Sequence, residues 1–199
     1  LAGQAAELQQ RTPGVQTRLM LDGTIDGYTP YESAVAEGPA TPIADEAAGG
    51  DLLYSSGTTG RPKGVYVPPE STDIAFVGSL LKVCMGPFSM GPGTVYLSPG
   101  PLYHAAPLRF AMAVMRLGGT VVVMEQFDAA EFLRLVPLHR ITHTQVVPTM
   151  FVRMLKLPQD QRLSHDLSSL RCAIHAAAPC PVPVKQQMID WWGPLVWEY

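Results

Sequence analysis

The 199-residue sequence predicts an α/β fold, a mostly parallel sheet covered by helices. Three observations carry that expectation. From residue 51 onward, short β-rich runs alternate with amphipathic stretches, the pattern of strand–helix–strand units. Several helix boundaries are marked, by Asp128 and Pro148 at two starts and by Gly118-Gly119 after one end. Hydrophobic residues make up 47% and charged residues 16%, a balance that fits a well-buried protein rather than a disordered one.

The elements follow in order. Residues 1–50 read as a connecting segment with a possible helix (Leu1 to Gln10) and a possible strand (Thr17 to Leu21). Pro30 to Gly50, rich in Ala, Gly, Pro and acids, reads as a surface connection. Residues 51–199 form the α/β core. Asp51–Ser55 and Gly64–Val67 are strand-like and flank a glycine-rich loop. Ser71 is placed to cap a helix running to about Met85, with Asp73 in its first turn. Thr94–Leu97 reads as a strand, Ala105–Leu117 as a helix, and Thr120–Met124 as a buried strand. Asp128–His139 is a helix, Thr142–Val147 a strand, and Pro148–Leu155 a helix with proline in its first turn. Leu170–Ala176 is a strand, Pro183–Trp192 a helix and Leu195–Trp197 the last strand.

Bulk properties exclude several classes. A net charge of −3 without a basic cluster gives no electrostatic case for nucleic acid. Cys84, Cys172 and Cys180 are odd in number and lack paired spacing, so free thiols in a reducing compartment are expected, with the cytoplasm as default location. His139, His143, His165 and His175 show no metal-ligand spacing. No apolar run reaches the ~18 residues of a membrane span, and the first residues lack the basic and apolar regions of a signal peptide. The chain starts without Met, which suggests a piece of a longer protein.

The most informative stretch is Ser55-Ser56-Gly57-Thr58-Thr59-Gly60-Arg61-Pro62-Lys63-Gly64. Glycines let the backbone approach a ligand and aim N–H groups at phosphate oxygens. Hydroxyls add donors, and Arg61 and Lys63 add charge. A flexible surface turn is the plainer reading of such a small-residue run. The loop is not the P-loop of common NTPases, because Lys63 is followed by Gly64 and a β-type run instead of a helix.

The stretch closely resembles the phosphate-binding signature of the adenylate-forming superfamily: acyl-CoA synthetases, peptide-synthetase adenylation domains and luciferases. The resemblance implies that residues 51–199 belong to the large N-terminal domain of such an enzyme. It also implies that Ser55, Ser56, Gly57, Thr58, Thr59, Gly60 and Lys63 grip the β- and γ-phosphates of ATP while a carboxylate attacks the α-phosphorus. Pro101-Leu102-Tyr103-His104 resembles the superfamily's second core motif, in which the residue at the position of His104 faces the reacting carboxylate. A helix N-terminal histidine in a satisfied hydrogen bond is the alternative.

His175-Ala176-Ala177-Ala178-Pro179 stands where the family has Gly-Gly-Ala-Pro or Gly-Ala-Ala-Pro. The resemblance assigns Ala177, Ala178 and Pro179 to the adenine face, although Ala here replaces Gly. Trp197-Glu198-Tyr199 resembles the start of the Tyr-Gly-x-Thr-Glu element and implies that Tyr199 stacks on adenine or directly precedes the residue that does. Thr144 to Arg153 resembles the segment lining the acyl tunnel. The Ala, Met and Val stripe of Leu108 to Met115 either lines that tunnel or is plain core.

The function so implied is an ATP-dependent acyl-CoA ligase for a fatty-acid, bile-acid or steroid-type carboxylate, with ATP, Mg²⁺ and coenzyme A. No metal ligand is assigned in this chain, because the family's magnesium-binding Glu lies in the unfinished element. With the lid lysine also missing, the 199 residues alone are expected not to complete catalysis. Adenylation that loads a carrier protein, or a non-catalytic nucleotide- or acyl-binding module, stands as the alternative. The oligomeric state is left open.

Overall fold

The computed structural model describes residues 2–55 and 60–199. The chain divides into two compact units, Leu1–Ala48 and Gly49–Tyr199.

In the first unit, α1 (Ala2–Arg11) is followed by two short strands, β1 (Leu19–Met20) and β2 (Thr29–Pro30), which pair in parallel. Helix α2 (Tyr31–Ala36) comes next. The Tyr28 hydroxyl donates to the Ala5 carbonyl at 2.9 Å and fastens the first helix to the strand pair. Neither helix has a buried residue. Helix α2 lies in the stretch expected to be a surface connection. Its only local signals are Glu32 in the first turn and the fixed φ of Pro30 ahead of it.

The second unit opens with an antiparallel hairpin of β3 (Leu52–Ser55) and β4 (Lys63–Tyr66). Helix α3 spans Ser79–Met85 and not Ser71–Met85. The Ser71 hydroxyl accepts the Asp73 N–H at 3.1 Å, and Asp73 Oδ1 accepts the Ala75 N–H at 2.8 Å. These bonds two residues ahead build turns in place of a helix cap. Glu70 takes over the capping role, with its carboxylate accepting from the backbone N–H and the hydroxyl of Ser79, both at 3.1 Å.

Then follow β5 (Val95–Ser98), α4 (Ala105–Arg116), β6 (Thr120–Val123), α5 (Ala129–His139) and β7 (His143–Val146). Helices α6 (Pro148–Leu155) and α7 (Gln159–Leu163), strand β8 (Cys172–His175), helix α8 (Val182–Trp192) and strand β9 (Val196–Glu198) complete the chain. The short α7 was not anticipated from the sequence.

The five later strands form one wholly parallel sheet in the order β6-β5-β7-β8-β9. Alternate residues feed two cores. Tyr96, Cys172 and Ile174 point into a layer with Leu81 and Cys84 of α3 and Phe110 and Val114 of α4. Leu97, Val146 and Ala173 join Phe132 and Val136 of α5, Phe151 and Met154 of α6, and Met188 and Trp192 of α8. The sheet is therefore covered on both faces, as near-continuous apolar strands require. Strand β6 is the exception to the expected burial. It forms one edge, and its Thr120 and Val123 are exposed.

Helix α4 ends as its two glycines foretell. Gly118, at φ +76°, donates to Met115 O at 3.0 Å, and Gly119 N–H donates to Val114 O at 2.9 Å, the paired bonds of a Schellman motif. A Cβ on Gly119 would lie 2.9 Å from the Thr94 carbonyl, so glycine lets the chain turn directly into β6.

Candidate functional site

Because the sheet is parallel throughout, the C-terminal ends of all five strands share one edge. The chain leaves β5 for β6 through α4 and returns from β6 to β7 through α5, on the opposite face. The strand order thus reverses between β5 and β7, and ligands of open α/β sheets bind in the crevice outside such a point. The segment Pro99–His104 leaves the sheet there.

His104 forms the N-terminal boundary of α4 in extended conformation, and its ring makes no capping bond. Its backbone N–H donates to Pro101 O at 3.1 Å and its carbonyl accepts from Leu108 N–H at 3.2 Å. The exposed ring packs against that of Tyr103, with centroids 4.6 Å apart. The local geometry leaves both imidazole nitrogens unused by the cap.

In the glycine loop, Ser55 pairs with Lys63 across the hairpin. Gly60 has φ +77°, a conformation that glycine adopts freely and other residues reach with strain, while a Cβ there would meet nothing within 4 Å. Arg61 and Lys63 are exposed. Ser56, Gly57, Thr58 and Thr59 lie outside the described residues.

At the end of β8, Ala177 has φ +73°. Ala177, Ala178 and Pro179 are exposed, whereas His175 just before them is fully buried. Neither ring nitrogen of His175 has a hydrogen-bond partner among the described residues, and the ring sits edge-on to Phe151 at 5.6 Å. Burial pushes its pKa below the usual histidine value, the nearby Lys185 adds to the effect, and Glu198 opposes it. The balance favours the neutral ring.

Glu198 closes β9 and forms an ion pair with Lys185 of α8, which holds its carboxyl below the ordinary range. Tyr199 is 64% exposed and packs its ring 6.0 Å from Phe110 of α4. Burial raises its pKa first, Cys84 adds to this, and Arg109 opposes it.

A cleft of about 830 Å³ joins Tyr199 to the base of the hairpin, at Gly49–Asp51 and Val67–Glu70, and to the start of α3 and the outer face of α4. Ala105 and Ala106, the residues after His104, line it. His104 itself and Ala177–Pro179 do not. The Leu108–Met115 stripe proves to be divided. Val114 lies wholly in the core, Phe110 and Ala113 belong to the core and reach the cleft at its floor, and Met112 and Met115, 61% and 65% exposed, line the cleft. No residue of Thr144–Arg153 lines it. His143–Val146 is buried, and Phe151 packs in the core on the other face of the sheet.

Sequence reasoning missed the charged lining of the cleft. Arg109 reaches Asp51, with its Nη2 and Nε at 2.6 and 2.7 Å from one carboxylate oxygen. Arg116 donates to the carbonyls of Ile74 and Phe76. These partners are 58, 42 and 40 residues apart, and no local pattern announces them. Among the described residues, no three His, Cys, Asp or Glu side chains converge as a metal site. No helix among them is long and apolar enough to cross a membrane.

The sequence model of the AMP-binding enzyme family matches residues 2–199. The chain belongs to that family. The chain is 36% identical over 152 residues to 4-coumarate–CoA ligase 5 of Oryza sativa subsp. japonica, covering 73% of this chain and 27% of the relative. It is 30% identical over 172 residues to the medium/long-chain-fatty-acid–CoA ligase FadD8 of Mycobacterium tuberculosis, covering 86% and 28%. Among solved structures, the amide bond synthetase McbA from Marinactinospora thermotolerans superposes with a TM-score of 0.76 at 26% identity, over 99% of this chain and 38% of that one. ATP-bound MatB from Rhodopseudomonas palustris gives 0.64 at 27% identity, over 87% and 33%. The chain spans about a third or less of the length of the curated relatives it matches.

Proposed function

We propose that this chain is the ATP- and acid-binding part of an acyl-CoA ligase that activates a carboxylate as its acyl-adenylate and passes it to the thiol of coenzyme A. The observation that carries the reading is the Ser55–Lys63 pairing. It sets a hydroxyl- and glycine-rich loop between two antiparallel strands, with Arg61 and Lys63 exposed at its exit. A polyphosphate is the ligand that such a combination of N–H, O–H and cationic donors suits.

In this reading, Ser55, Ser56, Gly57, Thr58, Thr59, Gly60 and Lys63 hold the β- and γ-phosphates. Lys63 neutralises charge that builds on pyrophosphate as the α-phosphorus is attacked. His104, with its ring clear of the helix cap at the sheet's switch point, orients the incoming carboxylate. Ala177, Ala178 and Pro179 offer exposed backbone to adenine, with Tyr199 close to the same ligand. Mg²⁺ would be held by the phosphates of the nucleotide and by the glutamate that the family carries beyond the position of Tyr199, and there it would share in neutralising the pyrophosphate.

The apolar cleft takes the body of the acid, which favours a fatty-acid, bile-acid or steroid-type substrate. The likeness to 4-coumarate–CoA ligases extends the class to aryl acids. The three free thiols fit a cytosolic setting. The likeness to an amide bond synthetase favours a second reading, in which the acyl group goes to an acceptor other than CoA, a carrier protein included.

Acid-dependent ATP–pyrophosphate exchange by the intact parent protein tests the adenylation step, and adding CoA tests the acceptor. The expected result is exchange with apolar acids and formation of an acyl-CoA. Exchange that is absent with every apolar acid contradicts the proposal, and robust exchange by the 199 residues alone contradicts the need for the lid.

A further inference from the structure

We propose that Asp51, by occupying Arg109, sets the cleft to admit acids with a single carboxylate and to reject those carrying a second one at the far end of an apolar body. This rests on the reading of the cleft as the acid's binding site.

Four charged side chains line the cleft: Asp51, Glu70, Arg109 and Arg116. The protein itself supplies a partner for each. Glu70 is taken up by Ser79, Arg116 by two backbone carbonyls and Arg109 by Asp51. What remains for a ligand is apolar: Leu80, Phe110, Met112, Met115 and the ring of Tyr199. Met side chains adapt to varied apolar shapes, so the cleft tolerates differences in acyl form. A second carboxylate finds Arg109 already neutralised by Asp51, and Arg116 with its Nη2 already given to two carbonyls. To pair with Arg109 it must displace Asp51, which is unfavourable.

Among the cleft's cations, Arg109 is the one that a single substitution can release. The partners of Arg116 are backbone carbonyls and cannot be removed that way, whereas Arg109 depends on one side chain. Its Nε and Nη2 converge on the same Asp51 oxygen. Removing that carboxylate frees the Nε and Nη2 donors on one edge of the guanidinium, the edge that can pair with the two oxygens of a carboxylate.

The test is calorimetric binding of dodecanoate and dodecanedioate to the 199-residue chain and three variants. Wild type is expected to bind dodecanoate and to bind the diacid about tenfold more weakly or worse. Asp51→Ala is expected to tighten diacid binding about tenfold with little change for dodecanoate, and Asp51→Ala/Arg109→Met to abolish the gain. Asp51→Ser serves if the alanine variant does not fold. Equal binding of both acids by wild type, an unchanged ratio in the Asp51 variants, or a gain that survives loss of Arg109 overturns the inference. Met112→Trp, which fills the cleft, separates the two claims. If dodecanoate does not bind wild type, or binds this variant unchanged, the cleft is not the acid site and both claims fall. If the variant loses dodecanoate but the Asp51 substitutions leave the ratio alone, only the role of Asp51 fails.

Discussion

Ser55 and Lys63 face each other as a Cα pair across the β3–β4 hairpin, so the glycine-rich loop leaves and re-enters the structure one strand spacing apart. That spacing is about 4.8 Å. Backbone hydrogen bonding thus holds the two ends of the loop together. Gly60 contributes by torsion alone, since its φ of +77° is left-handed and no atom lies where a Cβ would go. Gly60→Val is therefore expected to weaken ATP binding about fivefold through roughly 1 kcal/mol of backbone strain. Gly60→Asn, which tolerates that conformation better, should lose less. Titration calorimetry of both variants checks the order.

Ala177 occupies left-handed backbone, which glycine reaches freely. Ala177→Gly relieves a strain of about 1 kcal/mol, partly offset by the entropy glycine gains on unfolding. The expected outcome is a urea midpoint equal to or above wild type. Ala178→Gly, which has no left-handed strain to relieve, should lower it.

Two buried histidines are expected to make the fold acid-sensitive. His143 Nε2 lies 2.8 Å from the Phe88 carbonyl and its Nδ1 lies 2.7 Å from the Thr142 hydroxyl. This arrangement suits a neutral ring that donates from Nε2 and accepts at Nδ1. Burial is the first cause that lowers the pKa of His143, and the same holds for His175. A depressed folded-state pKa means that the unfolded chain binds more protons in the window between the two values. Stability is full above the ordinary histidine value of 6.5 and falls as pH drops below it toward the folded-state pKa values. Urea unfolding at about pH 7.5 and about pH 5.5 should show the lower midpoint in acid. His143→Gln should be less stable at the higher pH yet lose less on acidification.

The thiols should react in a fixed order. Burial pushes Cys84 up to about 11 and Cys172 up to about 12. At about pH 8 their thiolate fractions are of order one in a thousand and one in ten thousand. Cys180 is only half-buried and, although burial raises its pKa too, Lys185 opposes the rise. Iodoacetamide labelling followed by peptide mass analysis should modify Cys180 first, and the other two only in denaturant.

The parallel sheet and most of its helices were legible because each carries a local signal. Asp128 accepts the Glu131 N–H at 2.8 Å, as its position ahead of an apolar run implies, and Pro148 opens α6. Local signals also misled. Ser71 and Asp73 have the chemistry of helix caps but spend it on turns, and Glu70, with no cap-like context in the sequence, caps α3 from nine residues away. The edge position of β6 was hidden because Val121, Val122 and Val123 look the same at the edge of a sheet as in its middle. Among the candidate site residues, His104 and the glycine loop are marked in the sequence by residue type and spacing. The Asp51–Arg109 pair did not, because a contact between residues 58 apart exists only once α4 has packed.

Nucleotide binding to the 199-residue chain with Lys63→Met tests the central claim, that the glycine loop grips the terminal phosphates of ATP, most directly. Calorimetry with ATP and with AMP, each in the presence of Mg²⁺, separates phosphate grip from adenine contact. Loss of a charge-assisted phosphate contact should weaken ATP about 10- to 100-fold. AMP, which lacks the β- and γ-phosphates, should bind wild type and Lys63→Met alike. Equal loss for both nucleotides, or no loss for ATP, would contradict the account.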